Sequence, residues 1–231
     1  MDLLADAVRQ AVVLLTGGDR EIWSVLSLSV FVSATATFVA LVIGIPLAAA
    51  LALARFTGRR LVVSAVNAGM GLPPVVVGLF VSLLLWRSGP LGGWEILYTP
   101  AAIVIAQALI ATPLVTGITL AAVGAVPAPF RLQLLGLGAS RVQMVWVVLR
   151  EARLPMLAAV MAGFGGVISE IGASMMVGGN IKGQTRTLTT AMVLETGKGN
   201  FEVAIALSLL LLALVFGVNW TLTAVQQRRV W

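Results

Sequence analysis

Residues 22–54 have the sequence IWSVLSLSVFVSATATFVALVIGIPLAAALALA and contain no charged side chain. A helix needs about 20 mainly apolar residues to cross the hydrocarbon core of a bilayer, which is roughly 30 Å thick. The stretch exceeds that length, and it is too long and too continuous for the strand of a membrane barrel. It therefore predicts a transmembrane helix in an all-α integral membrane protein.

The composition of the whole chain agrees with this prediction. Of its 231 residues, 59% are apolar and 10% are charged, whereas soluble domains have about 25% charged residues. A soluble globular fold is therefore excluded. The sequence has no Cys and no His, which excludes disulfides, thiol nucleophiles and a histidine base, and we expect no metal site. The net charge of +6 forms no basic block, so we expect no binding of nucleic acid.

Similar uncharged intervals recur along the chain and predict about five spans in a single transmembrane domain, 1–231. The predicted spans are roughly 30–54, 61–86, 100–125, 155–178 and 203–226. Residues 3–15 precede them and predict a short amphipathic helix that lies at the membrane interface.

The charges between the spans are distributed unequally. If the C-terminus is cytoplasmic, nine of the fifteen basic residues lie on that side, together with the single acidic residue Glu151. The opposite side then has six basic residues and most of the acidic ones. The positive-inside rule therefore predicts an external N-terminus and a cytoplasmic C-terminus.

The segment 126–154 is the least lipid-like internal part of the sequence. Its apolar residues recur at helical spacing, and we expect Gly136 and Gly138 to divide it into two short helices, the second capped by Ser140. An apolar face that the neighbouring spans do not bury is typical of a binding surface for a protein. The alternative is a helix on the inner leaflet, where nearby arginines approach anionic lipid, and the spacing alone does not distinguish the two.

Several residues of this segment resemble a known motif. Gly138-Ala139-Ser140-Arg141, a hydrophobic stretch and then Leu154-Pro155 are similar to the EAA loop of permease subunits of type I ABC importers. In that family the loop forms a coupling helix that docks into a separate ATPase subunit. Two features differ from the family: residues 132–134 are Leu-Gln-Leu instead of Glu-Ala-Ala, and the distance to the proline is about one helical turn longer.

Further stretches resemble one branch of this family, the importers of molybdate, tungstate and sulfate. They are LPPVVVGL at 72–79, SEIGASMMVGGNI at 169–181 and TRTLT at 185–189. The block GGNIKGQTRTLTTAMVLETGKG at 178–199 is most similar to the tungstate-specific permeases. Molybdate or sulfate remains the alternative cargo.

The resemblance implies a type I ABC importer permease fold and a non-catalytic subunit of the bacterial or archaeal cytoplasmic membrane. It implies two ATPase subunits on the cytoplasmic face, which use ATP and Mg, and an extracytoplasmic oxyanion-binding protein. No cofactor is expected on this chain. Five spans are few for a complete pathway, so we expect a homodimer working by alternating access. A membrane-embedded enzyme and a simple channel are remote alternatives.

The resemblance also implies which residues couple to the ATPase. They are Leu134, Leu135, Gly136, Gly138, Ala139, Ser140, Arg141, Val142, Val145, Arg150, Glu151 and Pro155.

Residues of the translocation path or gate are expected among neutral donors and helix-breaking prolines, because no Lys or Arg lies within a predicted span and a deep cation would hold a dianion too tightly. Packing and hydrogen bonding within the helix are the alternative for each hydroxyl. The candidates are Pro73, Pro74, Thr112, Pro113, Ser169, Glu170, Gly172 and Ser174; an outer vestibule is expected at Asn180, Lys182, Thr185 and Arg186.

Glu170 is the only ionisable residue within a predicted span. A carboxylate repels a divalent oxyanion, so we expect a structural or gating role in which Glu170 accepts hydrogen bonds; a position along the pore is the alternative. In a continuous helix, Ala158, Ala162, Gly166 and Glu170 would form one row of mostly small residues, which favours close helix packing or a smooth pore wall.

Overall fold

A computed structural model of the chain describes residues 5, 6, 8–10, 12, 13, 17 and 20–227. This part of the chain is helical and contains no strand. Its helices are α1 (Arg20–Leu53), α2 (Arg59–Met70), α3 (Pro74–Leu85), α4 (Pro100–Gly124), α5 (Ala128–Gly136), α6 (Arg141–Glu151), α7 (Arg153–Ile168), α8 (Gly172–Gly178), α9 (Leu188–Gly197) and α10 (Phe201–Gln227), with a 3₁₀ turn at Gly92–Trp94.

The helices supply three to five candidate spans, depending on whether each of two bent helix pairs counts as one span. Helices α1, α4 and α10 are each long and apolar enough to cross a membrane, and the pairs α2–α3 and α7–α8 complete the five if each pair is one span. Helix α1 is described from Arg20 onward, so it includes the ten residues before the predicted start at 30, and its uncharged stretch continues back to Ile22. The predicted interfacial helix at 3–15 lies only partly within the described residues, which are helical where described.

The second span is not the straight helix predicted for 61–86. Helices α2 and α3 meet at an angle of 102°. Pro74 is at the start of α3 and Pro73, before it, is extended with φ −63° and ψ 125°. A proline has no N–H for the helix ladder and disfavours helical geometry in the residue before it. The two consecutive prolines therefore account for the bend.

The fourth span is also interrupted, which corrects the prediction of one helix over 155–178. Helix α7 ends at Ile168 and α8 starts at Gly172, with an angle of 57° between them. Glu170 lies in this break, so it does not continue the row formed by Ala158, Ala162 and Gly166. The predicted row of small residues along one side of the helix therefore ends at Gly166.

Helix α4 lies at the centre of the bundle. It packs along α1 and contacts α2, α3, α7 and α8. Small residues allow the close approach: a Cβ on Gly44 of α1 would stand only 2.9 Å from Cγ1 of Val115 in α4. Val32, Ile103 and Val177 are fully buried in the cluster where α1, α4 and α8 meet. Van der Waals contact between such surfaces is a main source of helix association in lipid.

The connections separate into two groups at opposite ends of α1. Val148 and Ala152 of α6 pack with Leu53, at the end of α1. Near the other end, the N–H of Leu188 donates to Oγ of Ser29 at 2.8 Å. The chain therefore presents α5–α6, the segment 126–154, at one end and residues 179–200 at the other.

Candidate coupling surface and gate

A tight turn joins α5 to α6. Gly138 has a φ of +83°, which glycine adopts without steric cost. The N–H groups of Gly138 and Ala139 donate to the carbonyls of Leu135 and Leu134 at 3.0 and 3.1 Å. This is a Schellman motif, in which the turn satisfies the last carbonyls of the helix. The predicted division of the segment by glycine is confirmed.

Helix α6 starts with a capping box. The N–H of Gln143 donates to Oγ of Ser140 at 3.3 Å, and the N–H of Ser140 donates to Oε1 of Gln143 at 2.8 Å. The predicted N-cap at Ser140 is therefore confirmed, and Gln143 supplies the reciprocal half of the motif. Both helix ends at this turn are therefore capped by hydrogen bonds within the segment.

One face of this helix pair is apolar and open. Leu137, Val142 and Trp146 are 85%, 80% and 60% exposed. Together with Gly138 and Ala139 they surround a shallow depression. We call these five residues the docking face. Its residues lie close together because Val142 and Trp146 are one turn apart on α6.

A different face of α6 carries Arg141 and Val145. Both residues line a groove against the last turns of α1, because residues 141, 145 and 149 are each one turn apart on that side of the helix. The structure therefore separates these two residues from the docking face, although the sequence analysis grouped them with Val142.

The other predicted coupling residues surround the docking face or lie behind it. The guanidinium of Arg150 stacks over the ring of Trp146 at 5.3 Å, a cation–π contact. Leu134 is half-buried. The remaining four are exposed: Leu135, Gly136, Glu151 and Pro155.

Two arginines at this end cap helices. Nη2 of Arg131 donates to the carbonyls of Val123 and Val126 at 3.0 and 2.7 Å, at the end of α4. Nε of Arg59 donates to the carbonyl of Leu51 at 2.6 Å, in the last turn of α1. A cation at a helix C-terminus is favoured by the macrodipole. Part of the positive charge that predicts the orientation is therefore also structural.

Glu170 caps α8 at the break in the fourth span. Its Oε1 accepts from the N–H of Ala173 at 2.9 Å, and its Oε2 accepts from the N–H of Ser174 at 3.0 Å and from Oγ of Ser174 at 3.1 Å. The residue is 7% exposed. These bonds are of the kind expected from the sequence, and a role in gating stays a prediction.

Two further elements are tied to this break. Nε2 of Gln107, buried in α4, donates to the carbonyl of Val167 at 3.0 Å and to Oγ of Ser174 at 3.2 Å. Oγ1 of Thr189 in α9 donates to the carbonyl of Glu170 at 3.0 Å. The interruption of α7–α8 is thus held from α4 on one side and α9 on the other. We call Gln107, Glu170, Ser174 and Thr189 the break network.

The bent second span meets this region at α3. A Cβ on Gly172 would stand 2.5 Å from Cγ2 of Val75. Val75 follows Pro73 and Pro74, so three of the predicted gate residues, Pro73, Pro74 and Gly172, lie near one contact. Ser169, another predicted gate residue, is the C-cap of α7.

Thr112 and Pro113 lie elsewhere, in the middle of α4. Oγ1 of Thr112 donates to the carbonyl of Ala108 at 2.6 Å, within its own helix, which is the alternative that the sequence analysis left open. A Cβ on Gly69 of α2 would stand 2.8 Å from Cβ of Pro113. This part of α4 therefore supports α2.

The predicted vestibule residues do not share one surface. Thr185 is 1% exposed; its hydroxyl donates to the carbonyl of Gly178 at 2.6 Å and accepts from the N–H of Ile181 at 2.9 Å. Thr185 is therefore a buried structural residue of the loop, which corrects its expected place on the surface. Nδ2 of Asn180 donates to the carbonyl of Thr190 at 3.3 Å.

The two cations of the vestibule are paired. Nζ of Lys182 lies 2.6 Å from Oε2 of Glu21, and Nη1 of Arg186 lies 3.3 Å from Oε1 of Glu21. They border a cavity of about 400 Å³ that Glu195 and Lys198 also line. Hydrogen bonds from Asn200 and then Lys198 hold the pKa of Glu195 below its ordinary value of 4.5.

Comparison with known proteins identifies the family of this chain. The family model described as "Binding-protein-dependent transport system inner membrane component" matches residues 23–231. The chain belongs to this family.

Relatives of the permease include transport proteins named for anions. It is 42% identical to the "Probable anion ABC transporter permease protein" of Haloferax volcanii over 85% of this chain and 87% of that protein. It is 38% identical to the "Tungstate uptake system permease protein TupB" of Peptoclostridium acidaminophilum over 98% and 100%. The resemblance to the oxyanion branch is confirmed.

A solved structure shares the fold of the permease. The MetNI methionine ABC transporter, solved in inward-facing conformations, aligns with a TM-score of 0.74 at 20% identity, over 90% of this chain and 94% of that one. The predicted type I ABC importer permease fold is therefore confirmed.

Some residues of the permease site had no clear signal in the sequence. Gln107 is one amide in a long apolar helix, and its role depends on a carbonyl sixty residues away. Trp146 could have been recognised because it is one turn after Val142 on the predicted amphipathic helix. Thr189 lies within a stretch recognised by resemblance, whereas its bond to Glu170 follows only from the folded chain.

Proposed function

We propose that this permease is the membrane subunit of a tungstate importer. In this proposal a homodimer assembles with two ATPase subunits and an extracytoplasmic oxyanion-binding protein, and moves its cargo by alternating access. Membership in the family supports the coarser function, a permease of an ABC importer. The end-to-end similarity to a tungstate uptake permease supports tungstate as the cargo.

The observation that carries the proposal is the docking face. Large apolar side chains such as Val142 and Trp146 are more than half exposed on a rigid, doubly capped helix pair. This pair is not within one of the long spans, so lipid does not cover it in the way it covers α10. A surface of this kind is stabilised by a partner protein that buries it. An ATPase that grips it can move α7, which directly follows α6 in the chain.

The bent spans supply parts that can move. Helices α3 and α8 are short, follow breaks in the chain and touch each other. Motion at α6 passes along α7 to the break at Glu170, where a hinge needs to change only a few backbone angles. The pathway opens to one side of the membrane when these helices tilt and closes when they return.

The charges suit a carrier that releases its cargo. Within the described residues, Lys and Arg occur at the ends of the spans or in the connections between them. A dianion crossing the bundle then meets only neutral donors and weak contacts, which favours passage over capture. Selection among oxyanions is left to the external binding protein.

The excess of basic residues at the α5–α6 end supports a cytoplasmic location for this end in our proposal. Residues 179–200 then face outward, where Lys182 and Arg186 border the cavity that receives cargo or the binding protein.

Reconstitution in vesicles tests the proposal. Purified permease is combined with its proposed ATPase and extracytoplasmic anion-binding partners, and uptake of tungstate, molybdate and sulfate is measured with and without ATP. We expect ATP-dependent uptake of tungstate that excess sulfate does not inhibit. Equal uptake without ATP contradicts the importer assignment, and preferential uptake of molybdate or sulfate contradicts the assignment of cargo.

A further inference from the structure

The groove beside the docking face has no role in the proposed function. One wall is formed by the last turns of α1, including Pro46, Ala50 and Leu53. The other wall is formed by Val145 and Leu149 of α6. It encloses about 460 Å³, and alanines at positions 49 and 50 leave it wide because they have almost no side chain.

The charges around the groove have one sign. Among the described residues that line it, Arg141 is the one charged side chain, and none is acidic. Arg55, an exposed residue, directly follows the groove residue Ala54. Neither arginine takes part in the salt bridges between described residues, which involve Glu21 and Glu195 instead. The groove is therefore apolar with uncompensated positive charge.

The position of the groove relates it to the membrane surface. Residues 45–54 of α1 cover about 15 Å along the helix at 1.5 Å per residue, and they form the last part of an uncharged span. The groove therefore starts within the apolar layer and ends where the first arginine of the loop occurs. An occupant needs an apolar body and an anionic group at one end.

We propose that the groove is a binding site for an anionic phospholipid. One acyl chain lies between α1 and α6, and the phosphate is bound by Arg141 with Arg55 beside it. Basic residues next to apolar helix surfaces at the membrane boundary are the usual chemistry of such sites. The proposed lipid site does not contact the cargo, so this proposal holds whichever oxyanion the permease transports.

The site has a consequence for α6. Residues 141, 145 and 149 face the proposed lipid, whereas Val142 and Trp146 belong to the docking face, which is centred about a quarter of a turn away at 3.6 residues per turn. The same short helix therefore contacts the bilayer on one side and is free for a protein on another. The sequence left two alternatives for this helix, a protein-binding surface and contact with the lipid leaflet. In this proposal each applies to a different face of α6.

Lipid retention measures the site directly. The permease, purified with its ATPase partner, is mixed with phosphatidylglycerol or phosphatidylcholine of identical acyl chains, and bound lipid is counted by native mass spectrometry. We expect phosphatidylglycerol to be retained about fivefold better, the change expected from one arginine near an anionic surface. Arg141→Gln should remove most of this preference, and Ala50→Trp, which fills the groove, should reduce retention of both lipids.

Arg150→Gln is the matched control, because it removes the same charge from the same helix at a residue that stacks over Trp146 and does not line the groove, and it should leave lipid retention unchanged. Melting temperatures of all variants show that they are folded. Equal retention of both lipids, or an unchanged preference in Arg141→Gln, overturns the proposal.

A protein occupant is distinguished by cross-linking. The chain has no cysteine, so Ala50→Cys introduces a single reactive thiol in the groove. We expect it to react with a maleimide-labelled lipid. A disulfide between two Ala50→Cys copies, or complete protection by the ATPase, shows a protein interface in place of the lipid site.

Discussion

Gly78 of α3 lies against the backbone of Ala173 in α8: a Cβ on Gly78 would stand 2.6 Å from Cα and 3.1 Å from Cβ of Ala173. Each of these short helices follows a break in its span. This contact therefore joins the two helices that follow the bends in the bundle. Because Gly78 has no side chain, the two helices pack closely at this point.

Substitution of Gly78 tests this contact. We expect Gly78→Val to force α3 and α8 apart, at a cost of about 1–3 kcal/mol in folding stability, and to reduce ATP-dependent uptake. Gly165→Ala is the control, since a Cβ on Gly165 of α7 meets nothing within 4 Å. The measurements are the melting temperature in detergent and the uptake rate in vesicles. Wild-type values for Gly78→Val contradict the close approach.

Removal of the Glu170 carboxylate should destabilise the break in the fourth span. Glu170→Ala leaves the N–H groups of Ala173 and Ser174 without acceptors, and each buried unpaired donor costs about 1–3 kcal/mol. We expect a large fall in melting temperature. Ser174→Ala removes one donor to Glu170 and one of the two acceptors of Nε2 of Gln107, which keeps the carbonyl of Val167, so it should have a smaller effect. If Glu170→Ala has the melting temperature of the wild type but a lower uptake rate, the carboxylate is needed for transport and does not stabilise the fold by capping α8.

The turn before α6 depends on the positive φ of Gly138. No neighbouring atom limits a side chain there, so only the backbone matters. Gly138→Val should strain the turn by about 1–2 kcal/mol and uncouple ATP hydrolysis from uptake. Asn tolerates this conformation, so Gly138→Asn should retain coupling. Loss of coupling in both variants would mean that the glycine is needed for the fit to the ATPase and not for its backbone angle.

The docking face should require apolar contact. Val142→Asp places a charge where a partner would bury it, and an unpaired buried charge is strongly unfavourable. We expect the variant to insert and fold but to lose its ATPase during purification, whereas Val142→Leu keeps it. Co-purification on a tag carried by the permease measures the difference. Retention of the ATPase by Val142→Asp excludes this face as the docking surface.

The sequence predicted the spans well because charge in lipid is costly wherever the helix lies in the bundle. The end of α4 at Gly124 falls one residue from the predicted limit at 125. The bends at Pro73 and at Glu170 were not predicted, although the prolines were quoted as a motif. The length and apolarity of an uncharged stretch indicate a membrane span. They do not show whether the helix is bent, because a bent and a straight helix can have the same stretch.

The candidate site was predictable where a local rule applied. Gly138 and Ser140 act within a few residues of the chain, and turn and cap preferences identify them. The break network depends on residues far apart in sequence, such as Gln107 and Val167, and no local pattern indicates such a bond. Thr185 also depends on the folded chain, because this polar loop residue is buried by the bonds of its hydroxyl to Gly178 and Ile181.

The hydrogen-bonded turn before α10 should make stability depend on pH. Glu195 accepts from Nδ2 of Asn200 at 2.8 Å and from Nζ of Lys198 at 2.7 Å, and these bonds lower its pKa. A carboxyl whose pKa is lower in the folded state stabilises the fold above its unfolded pKa, and the contribution is lost as the pH falls through the folded pKa.

We therefore expect the melting temperature of the wild type to fall more steeply below about pH 4.5 than that of Glu195→Gln, which has no proton to bind. Glu202→Gln, a neighbouring exposed carboxyl in α10, is the control and should follow the wild type. The effect should be small and weakened by salt, because Lys198 is half exposed and its attraction is screened. Parallel curves for the wild type and Glu195→Gln would show that the turn is held by its backbone bonds alone.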